Sequence, residues 1–179
     1  MEHEEKKLSS KMIYQGRVVT LRTDMVELEN GQITSREVIE HPGGVGIAAL
    51  DRDGCLLMVR QFRYPTDTQL LEIPAGKLEY GEDPLTAGRR ELEEETGHIA
   101  ARWTSLGQLW PTPAYDMEMI HLFLAEDLTP TRQHLDPGEF LTVERIPLQR
   151  LVKLVLDGKV RDAKTQIAVL KLAMARRGR

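Results

Sequence analysis

The sequence predicts a mixed α/β (α+β) fold in which one mixed sheet is packed between helices and is preceded by an antiparallel β-hairpin. Two alternating segments flank Asn30-Gly31, a dipeptide typical of tight hairpins. Residues 45–50 and 55–63 form two apolar runs with the length of buried strands. Helix signals begin at residue 83, and helices and strands then follow one another without βαβ regularity, which favours a mixed sheet.

Composition limits the organisation of the chain and its partners. The 179 residues suit one domain with a small appendage, which we divide into a hairpin region, residues 1–42, and a main domain, residues 43–179. The net charge of −4 argues against a nucleic-acid partner, which usually needs a basic face. Cys55 alone cannot form an intramolecular disulfide, the first residues are charged, and no apolar run is long enough for a membrane span. We therefore expect a cytoplasmic protein without membrane association.

The strands of the main domain are predicted from apolar runs separated by turn residues. The turn sequence DRDG joins VGIAAL to CLLMVRQFR, and LLEIPAG is a further short strand that ends in Pro74 and Gly76. Later strands are expected around TSLGQLW, MIHLFLAE and EFLTVERI, with PTPAYDME as a loop between the first two of these.

Three helices are predicted from their end signals. In the first, Asp83 fits the N-cap, Pro84 the first helical position and Gly97 the position after the last turn. Pro147 begins a second helix that runs to about residue 156, and Asp162 can cap the third. The buried side of the third helix is predicted to consist of Ile167, Leu170 and Met174.

The first helix contains an unusual acidic cluster, RELEEET, with four glutamates in five positions. Residues three and four apart share a helical face, so Glu91 meets both Glu94 and Glu95, and the like charges destabilise the helix. The repulsion disappears if a divalent cation such as Mg²⁺ lies among the carboxylates. Arg90 can reach Glu94, which makes Glu91 and Glu95 the better metal ligands. By itself, an acidic helix is more often a solvated surface.

The residues around this cluster match a longer motif. From residue 76 the chain contains GKLEYGEDPLTAGRRELEEETGH, which resembles the Nudix box, G-x5-E-x7-R-E-U-x-E-E-x-G-U with U apolar. The matching residues are Gly76, Glu82, Arg90, Glu91, Leu92, Glu94, Glu95 and Gly97. His98 stands where the family has an apolar residue. The sequence LEIPAG, a proline in TPAYDME and the leading hairpin are similar to the ADP-ribose pyrophosphatase branch, which usually has SPG in place of TPA.

The resemblance implies a Nudix-type mixed-sheet α/β/α sandwich that hydrolyses the pyrophosphate bond of ADP-ribose, or of a related ADP-sugar, to AMP and a sugar phosphate with Mg²⁺, or alternatively Mn²⁺. It implies metal ligation by Glu91, Glu95 and the backbone carbonyl of Ala75, with Glu94 as a further ligand. Such ions polarise phosphoryl oxygens and activate a water molecule that attacks phosphorus. Arg90 is expected to hold the carboxylates in place.

The resemblance also assigns residues outside the box. A loop glutamate activates the water, and Glu139 is the candidate, with Asp136 and Glu144 as alternatives. Arg63 falls where the branch contacts phosphate, a role that suits its planar guanidinium. Arg60 has the same chemistry, although a surface ion pair explains it equally well. The remaining candidates for substrate binding are Arg36, Glu37 and Glu118.

The hairpins of such relatives commonly exchange between two subunits, so a homodimer is expected. A hairpin alone is marginally stable and needs a partner surface, in its own subunit or another.

Two other functions fit the same residues. One is hydrolysis of another nucleoside diphosphate derivative, such as GDP-mannose, a dinucleoside polyphosphate or an oxidised nucleotide, because the box specifies the chemistry and the loops select the substrate. The other is a sensor that binds ADP-ribose without cleaving it. Such sensors often lose box carboxylates, which this chain retains.

Overall fold

The computed structural model describes residues 3–177. The chain forms two compact units. The first comprises Met1–Gly43 and Trp110–Met119, and the second comprises Gly44–Leu109 and Ile120–Arg179.

The first unit contains a three-stranded antiparallel sheet in the order β1-β2-β3. Its strands are β1 (Lys6–Gln15), β2 (Thr20–Glu27) and β3 (Ile33–Glu40). The hairpin predicted around Asn30-Gly31 joins β2 to β3, and Gly31 takes the left-handed conformation that the turn requires, with φ 79°. Strand β1 was not predicted, because its side chains are exposed on both faces and it therefore lacks the alternation that marks a half-buried strand.

The segment 110–119 belongs to the same unit and adds a short connection to β3. The backbone N–H of Ile39 donates to the carbonyl of Tyr115 at 2.7 Å, and Met117 N–H donates to the carbonyl of Ile39 at 2.9 Å. This segment carries Glu118, one of the predicted substrate-binding residues.

The second unit is built on a seven-stranded sheet. Its strands are β4 (Gly44–Leu50), β5 (Cys55–Arg63), β6 (Thr68–Glu72), β7 (Ala75–Lys77), β8 (His98–Leu109), β9 (Ile120–Pro130) and β10 (Leu141–Pro147). Five of them follow the order β10-β5-β4-β9-β8, while β6 pairs with β5 and β7 with β4. Strands β4 and β9 are parallel and the other pairs antiparallel, which confirms the predicted mixed sheet.

Helices cover both faces of this sheet. They are α1 (Pro84–Thr96), α2 (Leu148–Leu156) and α3 (Ala163–Arg177). Alternate residues of β4 enter two separate cores: Ala48 and Leu50 pack in the core that includes α2 and α3, while Val45 and Ile47 pack in the core that includes α1. Because successive strand residues point to opposite faces, both faces need cover, and the predicted α/β/α sandwich is confirmed. No helix within residues 3–177 is long and apolar enough to cross a bilayer.

The strand predicted at LLEIPAG is divided in two. Strand β6 ends at Glu72 and β7 begins at Ala75, with Ile73 and Pro74 between them. Ile73 donates its N–H to Thr165 Oγ1 at 2.9 Å, and the Pro74 carbonyl accepts from Ile47 N–H at 2.8 Å. Pro74 has no N–H of its own to continue a ladder, so the chain changes its pairing partner here.

Two further details of the prediction were wrong. Strand β10 begins at Leu141, so Glu139 lies in the preceding turn, where its N–H donates to the Asp136 carbonyl at 3.0 Å. Met174, predicted to be buried, is 74% exposed. The residues of α3 that are buried in the core are Ala168, Val169, Leu172 and Ala173, while the predicted Ile167 and Leu170 are partly buried and pack against it.

Candidate active site

The helix α1 carries the acidic cluster, and its ends are fixed as predicted. The Asp83 carboxylate accepts from Thr86 N–H at 2.9 Å, Pro84 occupies the first turn, and Gly97 has a left-handed φ of 64°. The loop between β9 and β10 lies against the C-terminal end, because His134 N–H donates to the Glu94 carbonyl at 3.1 Å and Gln133 Nε2 donates to the Glu95 carbonyl at 2.6 Å. This loop, which also contains Asp136 and Glu139, is thereby tied to the helix that carries the box.

Arg90 holds three carboxylates of the motif. Its Nη1 donates to Glu91 at 2.8 Å and to Glu94 at 3.0 Å, and its Nε donates to Glu82 at 3.3 Å. Burial opposes the charge of this guanidinium, but the hydrogen bond to Glu82 and the charge of Glu91 outweigh burial and raise the pKa of Arg90. The repulsion within the cluster is therefore offset by an arginine inside the same motif.

Glu91 lies directly against the backbone of the box glycine. A Cβ built on Gly76 would be 1.8 Å from Oε1 of Glu91, so any larger residue at this position would have to displace the Glu91 carboxylate. The Glu91 side chain is 12% exposed, and burial raises its pKa despite the neighbouring Arg90. The first glycine of the motif thus makes space for a carboxylate that lies fifteen residues later in the chain.

Glu95 is buried although it belongs to the acidic cluster, with only 3% of its surface exposed. Its Oε2 accepts from Ala75 N–H at 2.9 Å, so two of the four predicted metal-binding residues are in contact. Burial raises the pKa of Glu95 to about 8 against the effect of this hydrogen bond, and the charges of Glu91 and Glu139 contribute to the rise. In the absence of a cation, this carboxyl is held largely neutral near pH 7.

The residues around Glu95 fit a divalent cation by their chemistry. Carboxylates of Glu91, Glu94 and Glu95 and the Ala75 carbonyl are hard oxygen donors of the kind that Mg²⁺ selects. A buried carboxylate whose pKa is raised in this way is stabilised by a nearby positive charge. Within residues 3–177, no three acidic, histidine or cysteine side chains already form a metal cage. In this arrangement Glu91 and Glu94 are hydrogen-bonded to Arg90.

Arg63 lies in a network of ion pairs beside these residues. Its Nε and Nη2 donate to both oxygens of Glu72 at 2.8 and 2.9 Å, and Lys164 Nζ donates to Glu72 at 2.5 Å. Glu72 is 1% exposed, and burial alone would raise its pKa, but Arg63 and Lys164 lower it to about 2. The charge of Arg63 also acts on Glu95 and opposes the rise in its pKa, so the two side chains lie within electrostatic range.

The three loop carboxylates differ in their surroundings. Glu139 and Asp136 are in one exposed turn, where Glu139 Oε2 accepts from Asp136 N–H at 3.3 Å. The charge of Glu139 raises the pKa of both Glu91 and Glu95, which means that it is near them. Glu144 instead lies on β10 and accepts from Arg60 Nε on β5 at 2.5 Å. The surface ion pair that was one alternative for Arg60 is therefore present.

The other predicted substrate-binding residues lie in the first unit. Arg36 on β3 donates to both oxygens of Glu5, with Nε at 2.9 Å and Nη2 at 2.5 Å. Glu37 is its neighbour on the same strand. The carboxylate of Glu118 is 3.7 Å from Nδ1 of His41, and its backbone N–H donates to Asp116.

The sequence analysis did not identify the roles of Glu72 and Lys164. A signal exists for Glu72, because one acidic residue stands inside the apolar segment LLEIP, where an unpaired charge would be costly. Lys164 has no such signal, since it follows a helix N-cap and has the sequence neighbours of an ordinary surface lysine.

Comparison with known proteins places the chain in a family. The NUDIX domain model matches residues 40–167, and the model for the nucleoside diphosphate sugar hydrolase N-terminal domain matches residues 5–39. The chain belongs to the Nudix family and is an enzyme of the Nudix pyrophosphatase class, as the sequence motif predicted. Nudix hydrolases generally use divalent metal ions.

Similar proteins include pyrophosphatases of both ADP-ribose and GDP-mannose. The chain is 41% identical over 173 residues to an ADP-ribose pyrophosphatase of Bacillus subtilis and 39% identical over 173 residues to the methanol dehydrogenase activator of Bacillus methanolicus. In both cases the match covers 96% of this chain and 94% of the relative. A GDP-mannose pyrophosphatase of Yersinia enterocolitica is 33% identical over 140 residues, covering 73% of each chain. The crystal structure of an ADP compounds hydrolase superimposes with a TM-score of 0.86 at 26% identity, covering 98% of this chain and 95% of that one.

Proposed function

We propose that the protein hydrolyses the pyrophosphate bond of ADP-ribose, or of a related ADP-sugar, to AMP and a sugar phosphate in the presence of Mg²⁺. The observation that carries this proposal is the 41% identity to an ADP-ribose pyrophosphatase along 96% of the chain, because it includes the N-terminal sheet as well as the box. A substrate preference depends on residues outside the box, and a match of this extent covers them.

The metal ligands in this proposal are Glu91, Glu94, Glu95 and the carbonyl of Ala75, with Mn²⁺ as an alternative to Mg²⁺. A divalent cation bound there would polarise the diphosphate oxygens and lower the pKa of a water molecule. Support comes from the hydrogen bond between Glu95 and Ala75, and from Gly76, whose missing side chain leaves space for Glu91. Arg90 holds the carboxylates of Glu91 and Glu94 together, because its Nη1 donates to both of them.

The chemical step in this proposal uses Glu139 as the base. Its carboxylate accepts a proton from the water that attacks phosphorus, the bond between phosphorus and the bridging oxygen breaks, and AMP and the sugar phosphate leave. The proximity of Glu139 to Glu91 and Glu95 supports this choice. Glu144 is less suitable because its carboxylate is engaged by Arg60. Arg63 binds the diphosphate, while Arg36, Glu37 and Glu118 bind the remainder of the substrate.

We also propose that the protein is a cytoplasmic homodimer in which residues 1–42 contribute to the interface and residues 43–179 form the catalytic domain. Strand β1 supports the dimer, since all ten of its residues are exposed, among them Met12, Ile13 and Tyr14. A long exposed strand with apolar side chains tends to acquire a partner.

A substrate panel tests the function. The purified protein is incubated with Mg²⁺ and ADP-ribose, GDP-mannose, NADH, a diadenosine polyphosphate or 8-oxo-dGTP, and the products are separated by chromatography. We expect the largest kcat/KM for ADP-ribose, with AMP and ribose 5-phosphate as products. Faster turnover of GDP-mannose would instead favour the activity named for the GDP-mannose pyrophosphatases among its relatives. Binding of ADP-ribose without turnover of any of these compounds would identify a sensor and contradict the proposal.

A further inference from the structure

The network around Arg63 joins the strand before the box to the start of α3. Lys164 Nζ donates to Glu72 at 2.5 Å and to Asp162 at 2.8 Å. Asp162 also accepts from the N–H and the hydroxyl of Thr165, at 2.9 and 2.5 Å, and caps the helix. The side chain of Lys164 is only 11% exposed, so it is a largely buried cation between two carboxylates.

Glu72 holds Arg63 by one edge of the guanidinium group. The carboxylate takes Nε and Nη2, and none of the hydrogen bonds within residues 3–177 uses Nη1 of Arg63. The Arg63 side chain is partly exposed, whereas Glu72 is buried. A planar group fixed along one edge keeps a defined orientation and leaves its other end free to donate to a phosphate oxygen.

Lys164 determines the net charge of the ion-pair network that surrounds Arg63. Arg63 and Lys164 together balance Glu72 and Asp162, so the four side chains sum to zero. Without Lys164 the sum becomes −1, in a network that lies within electrostatic range of Glu95 and the proposed site of a dianionic diphosphate. A net negative charge there opposes substrate binding, because the buried Glu72 carboxylate is only weakly screened by solvent.

We propose that Lys164 is a positioning residue for substrate binding, which acts through Glu72 to fix Arg63 and to keep the surrounding network neutral toward the diphosphate. This inference rests on the proposed function in that it requires a diphosphate substrate, although not ADP-ribose in particular. Lys164 itself does not contact the substrate.

The test compares five variants by steady-state kinetics: K164M, K164R, D162N, the double variant K164M/D162N, and K153M. In D162N the asparagine can still cap α3, so the change removes mainly the charge. Lys153 is the matched control, because it also pairs with an aspartate at 2.8 Å but is 76% exposed. Binding of an α,β-methylene analogue of ADP-ribose is measured by calorimetry in parallel, and melting temperatures report folding.

We expect K164M to raise KM about tenfold, the effect of one unit charge at intermediate range, with kcat changed less than about twofold. K164R should retain a KM close to that of the wild type. The KM of the double variant should return most of the way to the wild-type value, since its network is neutral again. The affinities of the variants for the analogue should follow the same order. K153M should behave as the wild type.

Several results would overturn the inference. One is a K164M variant with a lower melting temperature and a lower kcat but an unchanged KM, and another is a double variant that binds more weakly than K164M. If K164M does not fold, D162N decides alone: its network carries +1, so its KM should fall, and an unchanged KM refutes the role. If the wild type fails to cleave ADP-ribose, the proposed function fails, and the same series is measured with the sugar nucleotide that is cleaved fastest.

Discussion

The carboxylate of Glu91 occupies the space where a side chain on residue 76 would have to be, since a Cβ on Gly76 would lie 1.8 Å from its Oε1. The alanine variant G76A must therefore displace Glu91, and it is expected to lower both the melting temperature and kcat. In the double variant G76A/E91A the carboxylate is absent, so stability should recover while activity stays lost. Thermal unfolding and steady-state kinetics of the two variants test this. A G76A enzyme with normal kcat would show that the placement of Glu91 is unimportant.

The buried Glu95 predicts a particular dependence of stability on pH when EDTA removes divalent cations. Its pKa in the folded protein, about 8, is above the value of about 4.3 for an exposed glutamate. A carboxyl whose pKa is raised on folding makes its full contribution to the free energy of unfolding below pH ~4, where it is protonated in both states. This contribution is lost as the pH rises toward the folded pKa, and the free energy of unfolding falls by at most ~1.4 kcal/mol per pH unit.

Glu95→Gln removes this dependence. The melting temperature of the variant relative to the wild type is therefore expected to increase steadily from pH 5 to pH 8, and Mg²⁺ should reduce the difference by stabilising the charged carboxylate. Glu93→Gln, two residues earlier on the same helix, is the control. A constant difference between Glu95→Gln and the wild type across this range would mean that Glu95 is not protonated in the metal-free protein.

Glu91 and Glu95 should dominate catalysis. Glu91→Gln and Glu95→Gln are each expected to lower kcat by ~10³-fold or more, because each removes a charged metal ligand. The variants should remain folded by circular dichroism, and Glu93→Gln should keep normal activity. Excess EDTA should abolish turnover in the wild type and added Mg²⁺ should restore it. Turnover that survives chelation would contradict the metal-dependent mechanism.

The loop carboxylates can be distinguished by single substitutions. Glu139→Gln should lower kcat by ~10²–10⁴-fold, the range for loss of a general base. Asp136→Asn should have a small effect, because the side chain of Glu139 remains. Glu144→Gln should mainly affect the pair with Arg60, and a large loss of kcat in this variant alone would transfer the role of base to Glu144. The measurement is kcat as a function of pH for all three.

The exposed strand β1 predicts the oligomeric state. Glutamates in place of Met12 and Tyr14 would place charges among its exposed apolar side chains, and we expect the M12E/Y14E variant to elute as a monomer where the wild type elutes as a dimer. Light scattering coupled to size-exclusion chromatography gives the masses. Lys11→Glu on the same strand is the control for charge alone. A wild-type protein that is monomeric at micromolar concentration would contradict the proposal.

Local features of the chain were predictable because short-range interactions determine them. The hairpin turn at Gly31, the cap at Asp83 and the end of α1 at Gly97 each depend on residues within four positions of one another. The box itself depends on spacing along one helix and its approach, so Glu91, Glu94 and Glu95 could be named as a cluster from the sequence. Strands β4 and β5 were predictable from their continuous apolar runs.

The sequence by itself therefore determined the family motif, the order of most elements and the identity of the acidic cluster. The tertiary structure decided that Glu95 is buried against Ala75, that Glu144 is paired with Arg60, and that Glu139 is free of a strand. It also decided that Arg63 meets a carboxylate on β6 and that this carboxylate meets a lysine ninety-two residues further along the chain. Burial and charge pairing of this kind arise only when distant segments pack together, so no local pattern of residues records them.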